Sequence, residues 1–100
     1  MATVHVTMGH VFSKDGIALF YANSSRYEAI SSGVSSVTGA LVAGAADPTI
    51  KFEVAKVECD TAVVATAKSP ATTSNGVYVK AGGEAYIVLM KGESVSVIDA

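Results

Sequence analysis

The sequence predicts an all-β chain, a small antiparallel β-sandwich or jelly-roll-like barrel. Three observations carry this expectation. Short runs alternate apolar and polar residues, the period of a strand with one buried face. Turn-forming pairs such as Asp15-Gly16, Asn75-Gly76, Gly82-Gly83 and Lys91-Gly92 punctuate the chain, giving about seven or eight short strands at the spacing usual in sandwiches and barrels. No stretch shows a sustained helical period between capping residues.

Thr3 to Met8 alternates strictly, with Val4, Val6 and Met8 on one side and Thr3, His5 and Thr7 on the other. Ser13-Lys14-Asp15-Gly16 reads as a turn because Asp-Gly accepts positive φ. Val11-Phe12 and Ile17 to Tyr21 are then the arms of a hairpin. The second arm is apolar on both faces, which places it either centrally in a sheet or at an interface. Residues 26–47 are Ser-, Gly- and Ala-rich and less regular. Tyr27 to Ile30 fits a strand or a single helical turn. A helix beyond it would carry Gly39 and Gly44, each costing ~1 kcal/mol relative to alanine. Short strands with an ordered loop are therefore expected there, with a flexible linker as the alternative.

Asp47-Pro48 marks a boundary. All 100 residues form one domain, in which residues 1–47 supply extra strands or an arm and residues 48–100 supply the sandwich core. Ile50, Phe52 and Val54 alternate with Lys51, Glu53 and Ala55, and Val57 continues the segment after a phase slip or bulge. Ala62 to Thr66 is a strand of the fully buried type. Ser69 to Gly76 is a polar loop, Val77 to Val79 a short strand, and Ala81 to Gly83 a turn. Glu84 to Met90 is a strand apolar on both faces. After Lys91-Gly92-Glu93, Ser94 to Ile98 alternates to the end.

Composition bounds what such a domain does. Half the residues are apolar and 16% are charged, against about 25% in typical soluble domains. Thin surface charge predicts a subunit of something larger; a monomer surfaced by Ser, Thr and Gly is the alternative. The net charge of −2, with seven Lys and Arg scattered singly, speaks against a nucleic-acid footprint. No apolar run reaches the ~20 residues of a membrane helix. The first residues do not read as a secretion signal, so synthesis in the cytoplasm is expected. The single cysteine, Cys59, forms no intrachain disulfide, and its neighbours Glu58 and Asp60 raise rather than lower a thiol pKa.

Candidate chemistry is sparse. His5 and His10 lack the further ligands that a zinc site requires. The serines lie in Ser-Ser and Ser-Gly loops without a Gly-x-Ser-x-Gly elbow. Glu58 and Asp60 read as solvated charge near a strand end. Gly82-Gly83 has neither the Lys-Ser/Thr nor the strand-loop-helix context of a phosphate loop. The sequence nominates no catalytic, cofactor-binding or metal-binding residue, and no cofactor. The residues it does nominate are an interface set on the two double-sided apolar strands: Ile17, Leu19, Tyr21, Tyr86, Val88 and Met90.

Residues 50–99 carry a recognisable order. Val54-Ala55-Lys56-Val57-Glu58-Cys59 leads to a Pro70-Ala71-Thr72 loop, and Gly76 to Lys80 ends in Ala81-Gly82. The strand Tyr86 to Met90 then leads through Gly92-Glu93 to Val95-Ser96-Val97-Ile98. This resembles the small β-sandwich structural proteins encoded beside capsid genes in tailed bacteriophages. The resemblance implies a virion structural protein, foremost a capsid decoration (cement) protein, with a head–tail connector or tail component as the alternative. It implies the major capsid protein or other virion proteins as partners, and a homo-oligomer, a trimer ahead of other cyclic forms. No contact with nucleic acid or membrane is expected. A carbohydrate- or ligand-binding β module is the competing class. Exposed Tyr27 and Tyr78 around a groove would favour it, whereas apolar residues over a flat face would favour structure.

Overall fold

A computed structural model describes all residues except Ala46, Pro48, Lys68 and Ser69; of Lys14 and Ser24 it describes the backbone alone. The chain is an antiparallel β-sandwich. Its strands are β1 (Thr3–Lys14), β2 (Ile17–Ser31), β3 (Val37–Thr38), β4 (Phe52–Cys59), β5 (Val63–Thr66), β6 (Val77–Val79), β7 (Glu84–Met90) and β8 (Ser96–Asp99). The first sheet has the order β2-β1-β4-β7 and the second the order β3-β8-β5-β6.

The alternation read from Thr3 to Met8 builds the centre of the first sheet. Val4, Val6 and Met8 are buried, and each faces an inward residue of β4, namely Cys59, Val57 and Ala55. Ile87 and Leu89 of β7 join them, and Val63, Ala65, Val79 and Val97 close the core from the second sheet. β5 is buried along its whole length, as its continuous apolar run predicts. The turn at Asp15-Gly16 is a two-residue loop between Lys14 and Ile17. Both of its residues have positive φ, 54° and 79°, as the tight turn that follows strand twist requires.

The structure decides between two pairs of alternatives that the sequence left open and corrects one reading. Ile17 to Tyr21 is not central, because β2 is a sheet edge. Tyr27 to Ile30 is not a helical turn but part of β2, in register with Val4 to Thr7. β4 pairs with β1 and β7 without a slip. Phe52 and Val54 therefore face away from Val57, and Glu53 points inward. A one-residue difference in phase exchanges the two faces of a strand. Here the inward face tolerates a glutamate because an arginine meets it. The boundary at Asp47-Pro48 and the start of the loop at Ser69 fall partly outside the described residues.

Backbone bonds to Val95, Glu93 and Gly92 and three charged side chains hold the Ala-rich segment after β3. The β2 segment 23–26 bulges, standing against Met8 alone between the pairs Thr7–Tyr27 and Gly9–Ala22. From this bulge the Arg26 guanidinium donates to Glu53 Oε1 and to the Val42 carbonyl, both at 2.7 Å. Glu53 Oε1 also accepts from the Gly44 amide at 2.8 Å, and Glu28 accepts from the Leu41 amide at 2.7 Å. Burial pushes the Glu53 carboxyl up. The hydrogen bonds from Arg26 and Gly44 and the guanidinium charge outweigh it and hold the group below its ordinary 4.5.

Candidate functional site

The β1–β2 hairpin is longer than the sandwich that supports it. β4 pairs with β1 only as far as Gly9, while β1 and β2 stay paired to the turn. Residues 10–21 are thus a two-stranded ribbon extending past the paired part of the sheet. A free two-stranded ribbon is marginal in water, and this one is apolar on both faces. His10 and Phe12 continue the phase of Val6 and Met8, opposite Tyr21 and Leu19, and among the described residues no strand of the second sheet pairs with them. Phe12 packs edge-on against Tyr21 with ring centroids 5.0 Å apart. Phe12, Ile17, Leu19 and Tyr21 nevertheless remain between 42% and 61% exposed.

The other face of the ribbon leans back onto the sheet. Phe20 reaches across β1 and β4 to Tyr86 of β7, with ring centroids 5.3 Å apart and an edge-on approach. Gly9 permits this crossing: a Cβ there would lie 2.1 Å from the Tyr21 carbonyl oxygen and 2.9 Å from the Phe20 ring. Val54 lies in register between Gly9 and Val88, and it is buried although it points out of the sandwich. Val11, Ala18, Phe20 and Tyr86 line a shallow depression of about 310 Å³.

The outer face of the first sheet is therefore divided. One end is polar: His5 Nδ1 meets the Tyr27 hydroxyl at 2.5 Å, and Lys56 lies between Glu58 (3.6 Å) and Glu84 (3.4 Å). The other end carries Phe52, Tyr86, Val88 and Met90, each about half exposed, with no charge among them. Interfaces are depleted of charge at their centres in the same way.

The six residues nominated from sequence are all exposed, but they form two groups. Tyr86, Val88 and Met90 share the outer face of β7. Ile17, Leu19 and Tyr21 lie on the ribbon face opposite Phe20. Phe20 links the two groups through Tyr86. Sequence reasoning missed Phe12, Phe20 and Phe52 as members of the patch. The signal for Phe52 was its alternation with Glu53, read in the wrong phase.

Other arrangements are less productive chemically. Among the described residues no three His, Cys, Asp or Glu side chains converge on a common point. Cys59 is buried, its thiol 3.3 Å from the Lys80 carbonyl. Burial first, then the charge of Asp60, pushes the thiol pKa up, the reverse of an activated nucleophile. A second depression, about 400 Å³, lies between Glu28–Ser31 of β2 and Val37–Ala40, and the acid at its rim already accepts from Leu41. Tyr27 and Tyr78 are exposed but belong to different sheets, each on an outer face, and so frame no common groove. The chain matches no protein-family model, no curated protein and no solved structure.

Proposed function

We propose that this chain is a structural protein of a tailed-phage virion, a capsid decoration protein. In this reading it stabilises the head through contacts among its own copies, as a trimer or another cyclic oligomer, and with the major capsid protein. The observation that carries the reading is the exposed apolar surface formed by Phe12, Ile17, Leu19 and Tyr21 of the ribbon and by Phe52, Val88 and Met90 at the outer end of the first sheet. Such a surface is costly in water and is what a cementing subunit buries across seams. At ~25 cal/mol per Å² of apolar area, modest contacts repeated over many copies add up to a large stabilisation of a shell. The order of motifs from residue 50 to residue 99 supports the same class, and the work is done by surface, not by catalysis.

Quantitative mass spectrometry of purified particles tests this. A copy number comparable to the major capsid protein is the expected outcome. A small ring-like count would move the chain to the head–tail connector or tail. Absence from particles would overturn the virion reading and direct attention to glycan-binding screens.

A further inference from the structure

Each edge strand of a sandwich offers N–H and C=O groups without a partner. Three of the edge strands here carry features that discourage pairing. β3 is two residues long and β6 three. β2 is interrupted by the bulge at 23–26, and beyond it belongs to the two-stranded ribbon, which twists more strongly than a wider sheet. β7 differs. It is seven residues long, pairs with β4 from Glu84 to Met90 without a bulge, and carries no charge from Ala85 to Met90. We propose that β7 pairs antiparallel with β7 of a second copy about a twofold axis, joining the first sheets of the two copies into one. This deepens the virion reading and rests on it: a twofold dimer is the smallest of the cyclic oligomers.

The direction of the main-chain groups of β7 follows from its pairing. The Lys91 amide donates to the Lys51 carbonyl at 2.9 Å. In the same alternation Leu89, Ile87 and Ala85 exchange bonds with β4. The N–H and C=O groups of Tyr86, Val88 and Met90 therefore point to the open edge. At Met90 both are taken: its amide donates to Glu93 Oε1 at 2.7 Å, and its carbonyl accepts from the Glu93 amide at 2.9 Å. At Tyr86 and Val88 no described residue bonds to them. Groups so arranged are satisfied by an extended strand.

The sequence of β7 makes a second β7 fit. With Ile87 of the two copies opposite each other, the outward amide and carbonyl of Tyr86 meet those of Val88 in the second copy, and Val88 meets Tyr86 likewise. Each such pair sets an aromatic ring against a β-branched side chain on the outer face, a favourable cross-strand combination. The side chains it brings together are 49% and 56% exposed. Glu84 falls opposite Met90 of the second copy, so no like charges meet across the seam. A shift of register either way sets Tyr86 against the occupied Met90 or Val88 against the charged Glu84.

The test uses the full chain. Native mass spectrometry and light scattering are expected to find a dimer. Hydrogen exchange is expected to find the Tyr86 and Val88 amides protected in concentrated solution and unprotected on dilution. The Ile87 and Leu89 amides, bonded to β4, stay protected throughout. Val88→Pro removes one outward N–H and no bond to β4. Circular dichroism and thermal melting verify that it folds, and its self-association is expected to be weakened at least ~30-fold. Val88→Thr keeps the N–H and the branched shape, and its self-association is expected to stay within ~3-fold of the wild type.

A dimer whose Tyr86 and Val88 amides exchange freely would overturn the pairing, whether or not V88P folds. So would equal weakening by V88T and V88P, which would place the contact on the outer-face side chains. A chain that is monomeric alone, with these amides protected only in purified particles, would overturn the second copy in favour of a strand of the capsid protein. A protected dimer of a chain absent from particles would uphold the pairing and sink only the virion reading.

Discussion

The two halves of the β1–β2 hairpin are made of similar residues and meet different environments. In the half nearer the termini, Val4, Val6 and Met8 are almost completely buried, because β1 has a partner on each side and a second sheet over it. In the half nearer the turn the same strand carries Val11 and Phe12, both about half exposed, because β4 has ended and only β2 remains. Apolar residues continue across Gly9, although the strict alternation of Thr3–Met8 does not. What changes is whether another layer is present, so apolar content alone does not make a core. The half nearer the termini is matched by what packs on it within the chain, and the half nearer the turn keeps its apolar side chains about half exposed.

The junction between the halves is where that comparison breaks most readily. Arg26 sits in the bulge, and its pair with Glu53 is buried, with side-chain exposures of 11% and 4%. Glu53→Ala leaves the guanidinium buried and unmatched, and chemical denaturation is expected to record a loss of about 3–5 kcal/mol. The same pair has a pH signature. The folded-state pKa of Glu53 is depressed, so its contribution is complete above the ordinary value of 4.5 and is lost as pH falls through the lower folded value. Stability profiles below pH 4.5 should be flatter in Glu53→Gln than in the wild type. Equal slopes would mean that the pair is not what couples β2 to β4.

Met8→Ala probes the buried half and is expected to cost about 2–5 kcal/mol through the cavity it leaves. Gly9→Ala probes the crossing point. The added methyl meets the Tyr21 backbone and the Phe20 ring, and overpacking of this kind costs about 1–3 kcal/mol. Nuclear magnetic resonance should then show that Phe20 no longer packs on Tyr86 while the core signals persist. Leu19→Ser in the exposed half is the smallest effect, within about 0.5 kcal/mol for the isolated monomer. A loss there as large as that of Met8→Ala would show that the ribbon is supported within its own chain and has no need of a partner.

Much of the fold was legible because its signals are local. The period of Thr3–Met8, the Asp15-Gly16 turn and the continuous run of β5 each depend on a few neighbouring residues. Reading failed where the deciding contact is distant in sequence. The phase of β4 turns on whether Glu53 can be buried, and that depends on Arg26, 27 positions away. The order in residues 39–44 rests on a hydrogen bond from Arg26, on bonds accepted by Glu28 and Glu53, and on backbone bonds with Gly92, Glu93 and Val95, whereas local composition there suggests a linker as readily as an ordered loop. For the candidate site, the apolar strands Ile17–Tyr21 and Tyr86–Met90 could be named from sequence. Their separation into two patches, and the place of Phe20 and Phe52 between them, could not.

By itself, then, the sequence determined the elements of this protein: strands, turns, a low share of charged residues and two strands too apolar to be half-buried in the ordinary way. Side-chain period and turn chemistry are properties of adjacent residues, and they survive without knowledge of the fold. Only the tertiary structure decided which apolar faces are covered. Burial is a property of what lies opposite a residue, and where β4 ends and Phe20 folds back is set by contacts between parts of the chain that sequence proximity does not join.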